Sequence, residues 1–405
     1  MSGAAEAPSI SRRIQGLACL LALGLTLFFY STAPKASASS DPFANILTAW
    51  TVARHGSVVL QDHSQLIEPE AFFQLTWIVE GKDGPVSLFP PGAALLAAPL
   101  YTIDDSELNP GIAFDNAGAL FTYGVPPIEP SVLIAAGSTA IASALLFLAL
   151  RRLGNSGEAM VGAMVFALAT GAWSVASQAL WQHGPAMMWL AVGLWTTSRA
   201  RELAWIPAIL TRPMVAVMVV ARTIHGSFVD RRWRAVLIPG ACTVAGTGLL
   251  LLFNKLYFGS WSPLIAYEQN PVLLLWELDL IDWIGNIFGA LVDPRRGLLM
   301  ISPFLLVLLP GLKRAWRIAP AFVRSSAFAG LMYLLIHYKA HHFAGGDLFM
   351  GYRYPLEGLL AASPLLFLSY QTWVKPHRSR LALLAVGVIT AIGLQAIGVA
   401  NPYSF

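Results

Sequence analysis

Apolar residues along this chain come in blocks that reach the length of a membrane crossing, with short polar runs between them. The blocks fall at 14–31, 131–150, 158–176, 184–198, 235–253, 298–312, 324–338, 355–371 and 381–399. A helix needs about 20 apolar residues to cross a bilayer. The pattern predicts an all-α polytopic membrane protein, a bundle of about 9–11 transmembrane helices.

Basic residues cluster at alternate block ends: Arg12 and Arg13, Arg151 and Arg152, Arg199 and Arg201, Arg222 to Arg234, Lys313 to Arg317, and Lys375 to Arg380. Cytoplasmic loops carry such an excess. The loops 32–130, 177–183, 254–297 and 339–354 are then outside. The first block is expected to be a retained helix rather than a cleaved signal, because it is long and "ASA" (36–38) lies well beyond its end.

One stretch breaks the alternation. Residues 203–221 are long enough to cross once, yet arginines flank both ends. A single crossing would move Lys313, Arg314 and Arg317 outside. The expectation is a broken, re-entrant pair of half-helices turning at Thr211-Arg212-Pro213, because proline removes a backbone donor. Irregular backbone at membrane depth is tolerated inside protein or beside a wet cavity. The whole chain, 1–405, reads as one transmembrane domain.

The first outer loop is acidic and has its own pattern. Phe43, Ile46, Leu47 and Trp50 recur at helical spacing, and residues 90–101 are apolar but too short to span. Both read as helices at the membrane surface.

Composition agrees. The chain has 405 residues, 56% hydrophobic and 12% charged, whereas a soluble domain carries roughly 25% charged residues. The net charge of +4 comes from the loop clusters, so no nucleic-acid partner is implied. Cys19 and Cys242 both lie in apolar blocks, which leaves no disulfide or thiolate-metal framework.

No phosphate-binding glycine loop is present, and the cytoplasmic loops are short. Chemistry is therefore expected on the outer face, in four stretches. Asp41-Pro42 suits a helix start, where free N–H groups stabilise an ionised carboxylate. Asp41 is thus a candidate base, with Asp62 in "LQDHS" as its candidate helper. Trp181, Gln182 and His183 together suit a polyhydroxylated ring. Arg295 and Arg296 stand outside against the charge bias and need an anion. Lys339, His341, His342, Asp347, Tyr352, Arg353 and Tyr354 surround a Gly-Gly turn. His341 and His342 are adjacent and poorly placed to share one ion, so no metal site is assigned. Backbone amides and guanidinium suit phosphate better. Arg353 needs an anion, either Asp347 or a phosphate, and phosphate is the favoured partner.

These motifs carry a resemblance. An acidic residue on an outer juxtamembrane helix, "SLFPPGAALLAAPLY", "LTRPM", "VDPRRGLLMISPFLL" and "GGDLFMGYRYPLEGLLAASPLL" are together similar to the GT-C superfamily of integral-membrane glycosyltransferases, over about residues 14–370. The resemblance implies a GT-C-like bundle in the plasma (inner) membrane with its site facing the periplasm or cell exterior. It implies an inverting transfer from a polyprenyl-phosphate-linked sugar, arabinose- or mannose-type, to a glycan, lipid or protein hydroxyl. Asp41 matches the family's base. Arg353, Lys339, Arg295 and Arg296 would face the phosphate, with His342 and Tyr352 beside them. No cofactor has a fixed place, and a divalent cation is left open. Proline follows Asp41 where many relatives carry an acidic pair, and Phe343-Ala344 stand where many carry tryptophan. Two other classes compete: a transporter or flippase, supported by the broken 203–221 stretch, and a non-catalytic subunit of a cell-envelope complex.

Overall fold

The computed structural model describes residues 11–34, 40–61, 77–104, 107–114, 120–196, 199–230, 234–263, 265, 279–345 and 349–401. Every apolar block of the sequence carries helix. Among the described residues four helices are long and apolar enough to cross a membrane alone: α1 (Arg12–Thr32), α4 (Glu129–Arg151), the Val236–Phe258 part of α9 (Arg234–Phe258), and α16 (Arg378–Ala400). The protein is membrane-embedded, and the all-α polytopic expectation holds.

The remaining blocks are shorter or broken, each for a visible reason. α5 (Ser156–Leu168) gives way to a π-helical turn, Ala172–Ala176. Between them Gly171 packs on the backbone of Tyr352, and a Cβ there would overlap the Tyr352 carbonyl oxygen. Block 298–312 splits into α11 (Leu298–Ile301) and α12 (Phe304–Leu308), interrupted at Ser302-Pro303. The Ser302 hydroxyl donates to the Ala169 carbonyl at 2.9 Å, tying the break to the turn after α5. α13 (Leu312–Ile318) follows, then α14 (Ala321–Ala340) and α15 (Leu356–Ser369).

The core is built where α4, α6 (His183–Trp195), α14 and α15 pack together, with α1 against α4. Leu146, Phe147, Leu190, Trp205, Tyr333 and Leu360 are fully or almost fully buried in it. Lipid-facing helices keep large apolar side chains exposed, as in α1 (Leu20, Leu23, Leu27) and α16 (Leu383, Val386, Ile389).

Stretch 203–221 forms α7 (Trp205–Thr211) and α8 (Val215–Asp230), separated at Arg212–Met214. Glu202 and Arg222 flank the pair and are salt-bridged at 3.2 Å. One straight helix would hold residues 20 apart at about 30 Å. The chain therefore reverses, with Arg212 at the tip.

The outer loop departs from pure helix. It holds α2 (Ser40–His55), α3 (Gly92–Ile103) and two antiparallel hairpins, β1 (Ile78–Gly81) with β2 (Gly84–Ser87), and β3 (Asn109–Phe114) with β4 (Leu120–Val125). Phe43, Ile46, Leu47 and Trp50 are buried, against the first hairpin on one side and α3 on the other. α2 is thus clamped within a cap that it forms with the first hairpin and α3. A further amphipathic helix, α10 (Leu280–Val292), starts at an Asp279 cap whose Oδ1 accepts from the Asp282 N–H at 2.8 Å. It was read as loop because it is short and follows a mixed stretch. Its Asn286 donates to the carbonyls of Tyr338 (2.6 Å) and His341 (2.8 Å) and accepts from the Phe343 N–H (2.7 Å). One side chain thereby fixes the chain leaving α14.

Candidate active site

Two carboxylates anchor the site, each held by an arginine. Asp41 lies in the first turn of α2, where Pro42 needs no intrahelical donor. Its Oδ2 accepts from Arg353 Nη1 at 2.5 Å, and both side chains are largely buried. The Arg353 guanidinium also lies 4.6 Å from the Trp181 ring centroid, 5.1 Å from Tyr354 and 5.3 Å from Phe349. Burial alone would depress its pKa, but Asp41 and Tyr354 outweigh burial and raise it. Arg353 therefore stays charged. A buried cation ringed by aromatic faces is well held.

The second carboxylate, Glu357, opens α15 and is fully buried. Oε1 receives His183 Nδ1 at 2.9 Å and Arg212 Nε at 3.3 Å; Oε2 accepts from the Tyr333 hydroxyl at 3.1 Å. Arg212 Nε also donates to the Tyr333 oxygen at 2.9 Å, and its Nη1 faces His183 Nε2 at 3.3 Å. Guanidinium has only donors, so His183 Nε2 must accept. The Nδ1 then carries the proton toward Glu357, and His183 is neutral. This network joins α6, the α7–α8 tip, α14 and α15.

Between the two centres lies a cavity of about 180 Å³, lined by Asp41, Trp181, Gln182, His183, Arg212, His337, His341, Arg353 and Tyr354 among others. Several buried polar atoms at it have no partner among the described residues: both ring nitrogens of His337, Gln182 Nε2 and Arg353 Nε. Buried polar groups are nearly always satisfied. The cavity is therefore built for a polar guest. A larger cavity of about 470 Å³ lies among Leu150, Phe166, Phe304 and Phe367. Its lining is mainly apolar, and its carboxylate, Glu158, is bonded to Lys375 at 2.6 Å. Of the two, the smaller cavity holds the unpaired polar atoms.

Of the residues singled out from sequence, Asp41, Trp181, Gln182, His183 and Arg353 come together at this cavity. Others do not. Tyr352 turns away and bonds Ser302 at 2.6 Å behind the wall. Arg296 is half-buried and donates to the Ala344 carbonyl at 2.8 Å, with its guanidinium 5.3 Å from Phe349, so it braces the loop beneath Arg353. Arg295 and His342 are exposed, and Lys339 is half-buried outside the cavity wall. Asp62 and Asp347 lie outside the described residues. Arg212, Glu357, Tyr333 and His337 were not singled out. Arg212 and Glu357 had a readable signal, since each is an ionisable residue inside an apolar block, where charge is expensive. Among the described residues no three His, Cys, Asp or Glu side chains converge to hold a metal.

This geometry can be set beside known proteins. No protein-family model matches the chain, and no curated protein does. Solved structures do match. The crystal structure of ArnT from Cupriavidus metallidurans bound to undecaprenyl phosphate superposes with a TM-score of 0.52 at 12% identity, over 93% of this chain. The chain has the GT-C fold. It spans 63% of the length of that ArnT chain. At such identity the likeness speaks for the fold alone. Within this fold, the cap that holds α2 meets the helix bundle at the Asp41–Arg353 pair.

Proposed function

We propose that the protein is a membrane glycosyltransferase. It moves a sugar from a polyprenyl-phosphate donor to an acceptor hydroxyl at the outer membrane face, with inversion. The observation that carries this reading is the Asp41 carboxylate facing a buried polar cavity beside two arginines. The likeness to a structure that holds undecaprenyl phosphate supports the donor class.

The reaction is a single displacement. The acceptor oxygen attacks the anomeric carbon while the bond to the phosphate oxygen breaks. The acceptor proton passes to Asp41. The polyprenyl phosphate leaves with growing negative charge, which Arg353 and Arg212 stabilise. The donor phosphate competes with Asp41 for Arg353. As the guanidinium turns to phosphate, the carboxylate is released to take the proton. Gln182 and His337 offer unpaired polar atoms to sugar hydroxyls, and Trp181 offers a ring face. An arabinose- or mannose-type donor is the first to assay.

The test is single-turnover transfer by the pure protein, using a short-chain polyprenyl-phosphate sugar and the acceptor lipid or glycan fraction. Release of polyprenyl phosphate that depends on Asp41 supports the proposal. Passage of intact donor across a vesicle bilayer, with no release, would identify a flippase instead.

A further inference from the structure

A second charged cavity lies at the far end of the bundle from Asp41. α6 starts at His183 in the site and runs 13 residues, about 20 Å, to Trp195. The 3-10 segment Arg199–Ala204 follows at that far end, and α8 descends to meet it. There a cavity of about 300 Å³ is lined by Arg201, Glu202, Arg222, Thr223, Ser227 and Ser325 together with apolar side chains. That volume is at the lower end of ligand-sized clefts, roughly 300–1,000 Å³.

Among the described residues lining the cavity, the charges do not balance. The Glu202 carboxylate is fully engaged: Arg201 Nε at 2.9 Å, Trp205 Nε1 at 2.5 Å and Arg222 Nη1 at 3.2 Å. Burial would raise its pKa, but Arg222, Trp205 and Arg201 lower it, so it is ionised. Two guanidinium groups thus share one carboxylate. The buried Thr223 hydroxyl lines the same cavity and has no partner among the described residues. Ser325, opposite, is shared with His225 at 3.1 Å.

The ligand class follows from these donors. An excess cation out of water needs an anion. Guanidinium forks and a hydroxyl match the several acceptor oxygens of a phosphate. The surroundings indicate where the phosphate comes from. Ile238, which lines the cavity, is 60% exposed, so the cavity opens beside an apolar surface. Basic pockets between helices at a membrane surface suit lipid headgroups.

We infer that this cavity binds the phosphate of an anionic membrane lipid, in the leaflet opposite Asp41. Arg201 and Arg222 hold the phosphate, Thr223 donates to it, and its chains lie along Ile238. The site is separate from the transfer reaction and does not depend on it.

Native mass spectrometry of the intact chain, titrated with phosphatidylglycerol or phosphatidylcholine, tests this. Phosphatidylglycerol should bind more tightly. Arg201→Gln should weaken it about fivefold, the worth of one interfacial cation. Thr223→Val leaves every ion pair in place and should weaken it roughly two- to tenfold, the value of one hydrogen bond. Arg378→Gln, an exposed arginine elsewhere on that face, should change nothing. Equal binding of the two lipids, or an equal loss in Arg378→Gln, overturns the site. Inorganic phosphate that binds with the same variant sensitivity and displaces phosphatidylglycerol would leave the anion site standing and overturn its lipid source.

Discussion

Arg353 donates to Asp41 at 2.5 Å across 312 residues of chain, and this pair joins the cap that holds α2 to the loop entering α15. The site thus exists only when the cap is seated. The same contact sets Asp41 at the cavity edge and occupies its Oδ2; in the proposed reaction the donor phosphate draws Arg353 away.

Asp41→Asn keeps the side-chain shape, so α2 should persist. It cannot accept the acceptor's proton. Removing a general base typically costs about 10²–10⁴-fold. Donor turnover should fall by that factor, with circular dichroism unchanged. Near-normal turnover by a folded Asp41→Asn protein would make Asp41 a structural partner of Arg353 and nothing more.

The pair itself can be measured. Breaking a buried ion pair by removing one partner costs roughly 3–5 kcal/mol. Arg353→Gln should lower the melting temperature markedly. The double variant Asp41→Asn with Arg353→Gln should recover part of it, because no lone charge stays buried. Lysine at 353 should rescue stability better than turnover, since it lacks the planar fork. Absence of coupling between the two positions would show that they do not meet in the folded protein.

The fold was legible where one signal dominated. Apolar blocks located the four helices long enough to cross a membrane among the described residues, because a bilayer demands about 20 apolar residues in a row. The site was half legible. Asp41 and Arg353 stood out beside proline and glycine turns. Their pairing did not, because it depends on tertiary packing: Asp347 was the nearer carboxylate in sequence, and Asp41 is the one on the cap that folds over Arg353. Glu357 and Arg212 looked like interruptions of helices. What makes them a network is the reversal at Arg212, visible once Glu202 and Arg222 are seen to meet. The hairpins escaped notice because they are short and lie among turns.

Topology is open to a direct test. His342 is exposed beside the site, and Ser379 is exposed at the start of α16. In a background with Cys19 and Cys242 replaced, His342→Cys should react with an impermeant thiol reagent in intact cells. Ser379→Cys should react only after lysis. The basic clusters place these positions on opposite sides. Reaction of both in intact cells, or of Ser379→Cys alone, would refute the orientation.

Glu357 separates the two carboxylate centres by what each does. It accepts from His183 and Tyr333 and pairs with Arg212, and no water reaches it. Glu357→Gln would leave Arg212 buried without its counter-ion and would give His183 Nδ1 an amide in place of a carboxylate. The cost should be roughly 3–5 kcal/mol, read as a fall in melting temperature. Glu357→Gln combined with Arg212→Met removes both charges and should restore much of that loss. Arg212 also faces the cavity, so the restored protein should still transfer slowly, by roughly 10²-fold if one electrostatic contact to the leaving phosphate is gone. Stability and turnover therefore part company at Glu357–Arg212. Asp41→Asn also breaks a buried pair, so its turnover is to be read well below its lowered melting temperature, where the loss that remains is that of the base. If the double variant regains stability together with full turnover, Arg212 plays no part in holding the phosphate, and Arg353 holds it alone.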